Sequence, residues 1–279
     1  MSTLTITTIQ SNLHWEDKRA NLDMFEEKIN GIREKTELVI LPEMFSTGFS
    51  MNPGLLAETM EGETLQWMKR VAASRKLIIT GSIIIREEGN GDAGIKYYNR
   101  LVWMLPNGQY GYYDKRHLFA FAGEDKHYSA GNKRLIASVK GWRVNLLVCY
   151  DLRFPVWARQ NPGWNAPEAG LAAPAASGPE YDLLVYVANW PERRRHAWTT
   201  LLQARAIENQ VYTVGVNRVG DDGNQIHYSG ETMIIDPLGE TLYHGKDEED
   251  VFTITLDKSE LENVRTRFPF WKDADRFKL

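Results

Sequence analysis

Cys149 is the only cysteine in the chain. It stands where an apolar run, Val144-Asn145-Leu146-Leu147-Val148, gives way to a polar turn, Tyr150-Asp151-Leu152-Arg153-Phe154-Pro155. A thiol at the C-terminal end of a strand occupies the part of an open α/β sheet where ligands bind, and could serve as a covalent nucleophile. A helix starting after Tyr150 would lower its pKa. The plainer reading is a small buried hydrophobe. Leu38-Val39-Ile40-Leu41-Pro42-Glu43-Met44 has the same shape and ends in an acid. Flanked by Pro42 and Met44, the Glu43 carboxyl is expected to be partly desolvated, its pKa raised toward the work of a general base. The alternative is an ordinary strand-end carboxylate. In Tyr112-Tyr113-Asp114-Lys115-Arg116-His117-Leu118-Phe119, Lys115 follows an aromatic strand, either as a functional cation or as part of a solvated charge run. Three strand ends converging on one sheet edge would bring together a nucleophile, a base and an electrostatic stabiliser.

Other chemistries find no support. Gly89-Asn90-Gly91-Asp92-Ala93-Gly94 fits G-x-G-x-x-G, but Ile95-Lys96-Tyr97-Tyr98 follows it and reads as a strand. A dinucleotide fingerprint must open a helix, so this is a hairpin loop. There is no phosphate-binding G-x-x-x-x-G-K-[ST] and no G-x-S-x-G. The six histidines (His14, His117, His127, His196, His227 and His244) lack metal-ligand spacing. No metal and no cofactor are expected. One cysteine permits no internal disulfide. With 33 basic and 37 acidic residues, for a formal charge of −4, no basic excess points to nucleic acid or an anionic membrane. No apolar run approaches the roughly 18 residues that span a bilayer. Met1-Ser2-Thr3-Leu4-Thr5-Ile6 lacks the basic start of a secretory leader, so a cytoplasmic location is expected.

Converging strand ends require strands alternating with helices, and the pattern has them. Short apolar or alternating runs predict strands at Leu4–Ile9, Glu37–Pro42, Lys76–Arg86, Gly141–Tyr150, Tyr181–Asn189, Val211–Arg218 and Val251–Leu256. Helical spacing predicts helices over Asn21–Thr36, Thr64–Lys76 and Thr199–Asn209, with a polar helix near the C-terminus. Pro106-Asn107-Gly108 and Pro237-Leu238-Gly239-Glu240 mark hairpins, the first between Tyr97–Met104 and Tyr110–Arg116, the second between Thr232–Ile235 and Thr241–Tyr243. Mixed strands and helices argue an α/β fold in layers, and no break in composition divides the 279 residues. Asn161–Glu180, rich in Ala, Pro and Gly, reads as a mobile surface loop, either a spacer or a lid.

Leu41-Pro42-Glu43, Tyr113-Asp114-Lys115-Arg116-His117-Leu118 and Val148-Cys149-Tyr150-Asp151-Leu152-Arg153-Phe154-Pro155 together resemble the nitrilase, or carbon–nitrogen hydrolase, superfamily, in order and in spacing. The resemblance extends to Glu124, seven residues before Gly131, to Ala188-Asn189-Trp190-Pro191 and to Ala204-Arg205-Ala206-Ile207-Glu208-Asn209-Gln210. It is strongest to bacterial omega-amidases, which hydrolyse the side amide of 2-oxo-dicarboxylic acid monoamides. The chain departs from the pattern at Asp114, where the family often has Arg, and in the length of the insert after Arg159.

This resemblance implies a single domain over 1–279, a four-layer αββα sandwich, and pairing into a homodimer through helical layers. Cys149 would attack the amide carbonyl and Glu43 would carry the proton. Lys115 and the backbone N–H of Tyr150 would stabilise the oxyanion, and Glu124 would orient Lys115 or the attacking water. The partner would be a small-molecule amide. The substrate carboxylate at the far end needs a cation, and Arg matches it with two parallel bonds. Trp190, Arg193 and Arg194, in Asn189-Trp190-Pro191-Glu192-Arg193-Arg194-Arg195-His196, are the substrate-binding candidates. Phe268-Pro269-Phe270-Trp271 and Phe277 would dock on a second subunit or on their own protomer. Three rival readings remain: a hydrolase of another amide, carbamoyl compound or nitrile; a catalytically silent binding module on the same fold; and a redox sensor at Cys149. The last is weakened by the absence of a resolving thiol.

Overall fold

Alternation along the strands sends successive side chains to opposite faces, and here each face finds its own apolar partner. Leu38 and Ile40 join one buried cluster while Val39 between them joins another; Leu101 and Trp103 divide from Val102 and Met104 in the same way. A computed structural model describes residues 2–89, 94–160 and 178–275. The chain runs β1 (Thr3–Gln10), α1 (Lys18–Gly31), β2 (Leu38–Ile40), α2 (Pro53–Leu56), α3 (Glu63–Arg75), β3 (Ile78–Glu88), β4 (Ile95–Met104) and β5 (Tyr110–Asp114). Next come α4 (Glu124–His127), β6 (Ile136–Val139), β7 (Trp142–Val148), α5 (Pro155–Ala158), β8 (Leu183–Val187), α6 (Arg195–Asn209) and β9 (Tyr212–Val216). The last part holds β10 (Val219–Asp221), β11 (His227–Ile235), β12 (Thr241–Lys246), β13 (Asp250–Asp257) and α7 (Lys258–Arg267).

The strands form two sheets. One has the order β13-β1-β2-β3-β4-β5; the other has β10-β11-β9-β8-β7-β6, with β12 paired to β11. Pairing is parallel along β1-β2-β3 and along β7-β8-β9, and antiparallel elsewhere. The sheets face each other across Leu38, Ile40, Leu101, Trp103, Val144, Leu146 and Val185. On the outer face of the first sheet, Leu22, Phe25 and Ile29 of α1 pack with Leu65, Met68 and Val71 of α3. Burial of side chains of this size is worth about 1.5–3 kcal/mol each. On the second sheet, α6 presses so close to β9 that a Cβ at Gly215 would lie 2.4 Å from Leu202 and 2.7 Å from Trp198. The result is the expected four-layer αββα sandwich.

Most expected elements are present with shifted ends. The first helix starts at Lys18, where the Asp17 carboxylate accepts the Ala20 N–H at 3.0 Å, and stops at Gly31 rather than Thr36. Asn30-Gly31 is a stop signal that the apolar spacing through Ile32 masked. The third helix begins at Arg195 rather than Thr199, led by a 3-10 turn over Glu192–Arg194. Both marked hairpins form. The Gly89–Gly94 segment joins two antiparallel strands as expected, closed by a Gly89 N–H to Gly94 carbonyl bond of 2.7 Å. The β6-β7 hairpin, like β10-β11, was not anticipated. In β6-β7 the turn residues Lys140 and Gly141 have φ of 48° and 80°, the geometry that suits a two-residue hairpin turn.

The proposed loop over Asn161–Glu180 falls outside the described residues for 161–177, as does Phe277. The rest of the aromatic tail docks on its own protomer: Gln210 donates to the Phe268 carbonyl at 2.7 Å and accepts the Trp271 N–H at 3.2 Å. Phe270 is left 64% exposed.

Candidate active site

Strand β7 delivers Cys149 into a sharp turn. The residue has φ of 43°, a left-handed conformation that costs a non-glycine residue about 1–3 kcal/mol and persists only where its surroundings enforce it. Asp151, fully buried two residues on, supplies the enforcement. Its Oδ2 accepts the Val148 N–H at 3.0 Å and the Tyr113 hydroxyl at 2.7 Å. Its Oδ1 accepts the His117 backbone N–H at 3.0 Å and lies 2.8 Å from His117 Nδ1. The Tyr113 oxygen in turn accepts the Arg116 N–H and the Trp157 indole. One carboxylate thereby ties the Cys149 turn to the segment that carries Lys115.

The thiol itself is 9% exposed. Burial pushes its pKa well above the ordinary thiol range, and the Glu43 charge pushes it further, against a smaller opposing pull from Lys115. The expectation of a lowered pKa is therefore overturned. Cys149–Arg153 forms only a 3-10 turn, too short to build a helix dipole, and one ammonium cannot outweigh desolvation and a carboxylate together. The resting group is a neutral thiol that needs a base.

A buried carboxylate stands beside the thiol. Beyond β2, Leu41 and Pro42 lead to Glu43, and Met44 turns sharply with φ of 43°, its N–H donating to Ser82 Oγ at 2.8 Å. Glu43 is fully buried. Its Oε1 accepts from Lys115 Nζ at 2.9 Å and Asn99 Nδ2 at 2.8 Å, and its Oε2 accepts the Asn189 N–H at 2.8 Å. Asn189 Nδ2 donates to the Glu43 carbonyl at 2.6 Å, while the Asn189 carbonyl lies 4.0 Å from the sulfur.

Lys115, one residue past β5, also donates to both oxygens of Glu124, at 3.0 and 2.9 Å. Glu124 is fixed by the Phe119 N–H at 2.6 Å. Burial works to lower the Lys115 pKa, but the charges of Glu124 and Glu43 hold it above its ordinary value; Lys115 is an ammonium throughout. Burial raises the Glu124 pKa, Lys115 opposes this, and Glu43 adds to it.

The residues singled out for chemistry thus do meet, but not on one sheet edge. Glu43 and Lys115 come from the ends of β2 and β5 in the first sheet, and Cys149 from β7 in the second. The site lies between the sheets, where the parallel strands of both end. Asp114, the departure from the family pattern, is engaged elsewhere: Arg100 clamps it with bonds of 2.7 and 2.9 Å, and the Tyr112 ring covers that guanidinium at 3.9 Å.

A cavity of about 390 Å³ opens at the thiol, lined by Lys115, Cys149, Tyr150, Trp190, Arg193 and Arg194, with Phe49, Phe119 and Phe121 among its apolar walls. Trp190 is held on several sides. Asn217 accepts its N–H at 2.7 Å and donates to its carbonyl at 2.9 Å. Its indole N–H donates to the Arg194 carbonyl at 2.8 Å, and its ring lies 5.5 Å from that of Trp198.

Arg194 is half-buried, its guanidinium 4.9 Å from the Phe119 ring. Burial, then the neighbouring Arg193, lower its pKa from the usual guanidinium value. Arg193 is exposed at the rim. Arg153, part of the nucleophile motif but assigned no role from sequence, also lines the cavity, 5.0 Å from the Trp190 ring. Among the described residues, none of these three arginines has a carboxylate partner. Sequence reasoning passed over Asn99, and quoted Asn189 and Asp151 within motifs without giving either a role. The signal was a polar residue inside or at the end of an otherwise apolar strand.

Comparison with known proteins agrees with this geometry. The carbon–nitrogen hydrolase family matches residues 5–266. The chain is 40% identical to omega-amidase YafV of Escherichia coli (strain K12) over 280 aligned residues, covering 100% of both chains. It is 29% identical to 2-oxoglutaramate amidase of Bacillus subtilis (strain 168), covering 96% of each. A solved carbon–nitrogen hydrolase superfamily protein from Xanthomonas campestris, which carries an arsenic adduct in its active site, is 42% identical, superposes with a TM-score of 0.90, and is covered completely. With a family match over nearly its whole length, and an acid, a lysine and a thiol gathered between two sheets, the chain belongs to the carbon–nitrogen hydrolases.

Proposed function

We propose that this enzyme hydrolyses the terminal amide of small 2-oxo-dicarboxylic acid monoamides, such as 2-oxoglutaramate and 2-oxosuccinamate, to the dicarboxylic acid and ammonia. The observation that carries the reading is the cavity that joins the Glu43–Lys115–Cys149 cluster to a wall of arginines that have no carboxylate partner among the described residues. An anionic substrate would supply the missing counter-charge, and the names of the two curated relatives support its class.

Glu43 takes the proton from Cys149 Sγ as the sulfur attacks the amide carbon. Lys115 Nζ and the Tyr150 backbone N–H stabilise the oxyanion, a role in which one donor is typically worth about 10²–10³ in rate. Protonated Glu43 gives its proton to the departing nitrogen, and ammonia leaves a thioester on Cys149. Glu43 then deprotonates a water that attacks the thioester, and the sulfur departs as the thiol. Glu124 holds Lys115 in line throughout. Splitting the reaction at a thioester replaces one hard step with two easier ones.

Arg194 and Arg193, beside Trp190, bind the remote carboxylate. The 279 residues work as a single domain, in a homodimer in the cytoplasm; sedimentation at micromolar protein giving only a 32.0 kDa species would exclude the dimer. The test of the activity is ammonia release from a panel of amides and nitriles. 2-Oxoglutaramate and 2-oxosuccinamate should turn over best, and Arg194→Met should raise KM for them far more than for an uncharged amide. Faster turnover of uncharged amides or nitriles by the unmodified enzyme would refute the substrate assignment.

A further inference from the structure

We propose that Asn99 is a positioning residue that holds the Glu43 carboxylate by a hydrogen bond and leaves one chosen oxygen of it free to receive the Cys149 proton. The inference rests on the reading of Glu43 as the base.

Asn99 sits inside β4 opposite Ile84 of β3 and is fully buried. It touches every charged member of the cluster. Its Nδ2 donates to Glu43 Oε1 at 2.8 Å and to Glu124 Oε1 at 3.3 Å, and its backbone carbonyl accepts the Lys115 N–H at 3.0 Å. A carboxylate oxygen has about two lone-pair sites. On Glu43 Oε1, Lys115 and Asn99 fill both; on Oε2 the Asn189 N–H fills one. The remaining site on Oε2 is where the thiol proton can land.

The same amide serves two carboxylates that share one ammonium. Glu43 faces the Lys115 cation after β5, Glu124 of α4, the Cys149 thiol after β7, Tyr128 beyond α4 and Tyr228 of β11. Lys115 is the only cation of that set. A neutral donor between the carboxylates stabilises both without adding charge. Among the described residues the Asn99 Oδ1 has no hydrogen-bond partner, so the side chain serves this place through its donors.

The test compares pH profiles of kcat/KM and kcat for the unmodified enzyme, Asn99→Leu, Asn99→Asp and Glu43→Gln, each with its melting temperature. Asn99→Leu removes the donors. Its acid limb should move to higher pH by about one unit or more, as for a hydrogen bond lost from a carboxylate. Its kcat should fall at least tenfold while KM changes little. Asn99→Asp can donate only when the new carboxyl is protonated, so its basic limb should move to lower pH. If Asn99→Leu does not fold, the near-isosteric Asn99→Asp decides alone. Unmoved limbs in the folded variants, with Glu43→Gln inactive, would overturn the role of Asn99 and leave the base assignment standing. Full activity in Glu43→Gln would overturn both.

Discussion

Burial and the Glu43 charge leave the Cys149 thiol neutral beside a buried carboxylate, so under the proposed mechanism proton transfer, rather than a stored thiolate, opens the reaction. Cys149→Ala should fold normally and lose turnover, and intact-mass measurement of the native enzyme with a slow substrate should show an acyl adduct. Because the Glu43 charge helps raise the thiol pKa, Glu43→Gln should lower it, so the thiolate absorbance near 240 nm should grow in at lower pH than in the native enzyme. An unchanged or higher titration midpoint would contradict the arrangement. Glu43→Gln and Lys115→Met should each cost several orders in kcat, and the double variant little more than either, because a catalytic cluster works as a unit. That Glu43, Lys115 and Cys149 come together was legible from sequence, since each follows closely on a strand. The thiol pKa was not. It depends on which residues from distant strands surround the sulfur, and nothing in the Cys149 motif encodes Glu43.

The turn after β7 is the element on which the site depends most. Asp151 offers two oxygens to four donors. Asn at that position would supply one oxygen and set an N–H₂ group against donors, with a cost of about 2–4 kcal/mol for more than one lost or unsatisfied bond. Asp151→Asn should lower both the melting temperature and kcat, since the same carboxylate secures the Cys149 turn and His117 of the Lys115 segment. A loss of stability at unaltered kcat would show that the turn holds without it. The identity of the longer elements was readable from the period of the apolar residues; element ends were not. Asn30-Gly31 stops α1 before the apolar series ends, and β6 and β10 are too short and too polar to stand out. Which sheet each strand joins was also hidden, because β2 and β7 have the same local pattern and pair with different neighbours.

At the scale of the molecule, the pole opposite the site is closed by charge. Asp182, at the start of β8, binds Arg143, Lys258 and Arg265 and so fastens α7 to the second sheet. Burial opposes its ionisation, but the Arg143 N–H and the surrounding cations outweigh burial and hold its pKa below the usual carboxylate range. A carboxyl whose pKa is lower folded than unfolded stabilises the fold above its unfolded pKa, about 3.9, and loses that contribution as pH falls through the folded value. Asp182→Asn should therefore melt below the native protein at pH 7, and the gap should close as pH drops below about 4. A constant gap down to the acid limit would mean that the carboxylate charge contributes nothing. Kinetics at pH 7 should change little, because this pole lies across the sheet from Cys149.

The division of the site between two sheets also divides it along the chain. Glu43, Asn99, Lys115 and Glu124 all precede Gly131, and Cys149, Asn189 and Trp190 all follow Leu135. A break between Gly131 and Leu135 would leave Glu43 and Lys115 on one fragment and Cys149 on the other, so that under the proposed mechanism neither would act alone. The second fragment would still carry β13, which pairs with β1 of the first through eight residues. That strand is a built-in adhesive, and the cut enzyme becomes an assembly sensor. Ammonia release on mixing the two fragments would report the joining of the halves, and Cys149→Ala in the second fragment should abolish the signal without preventing association.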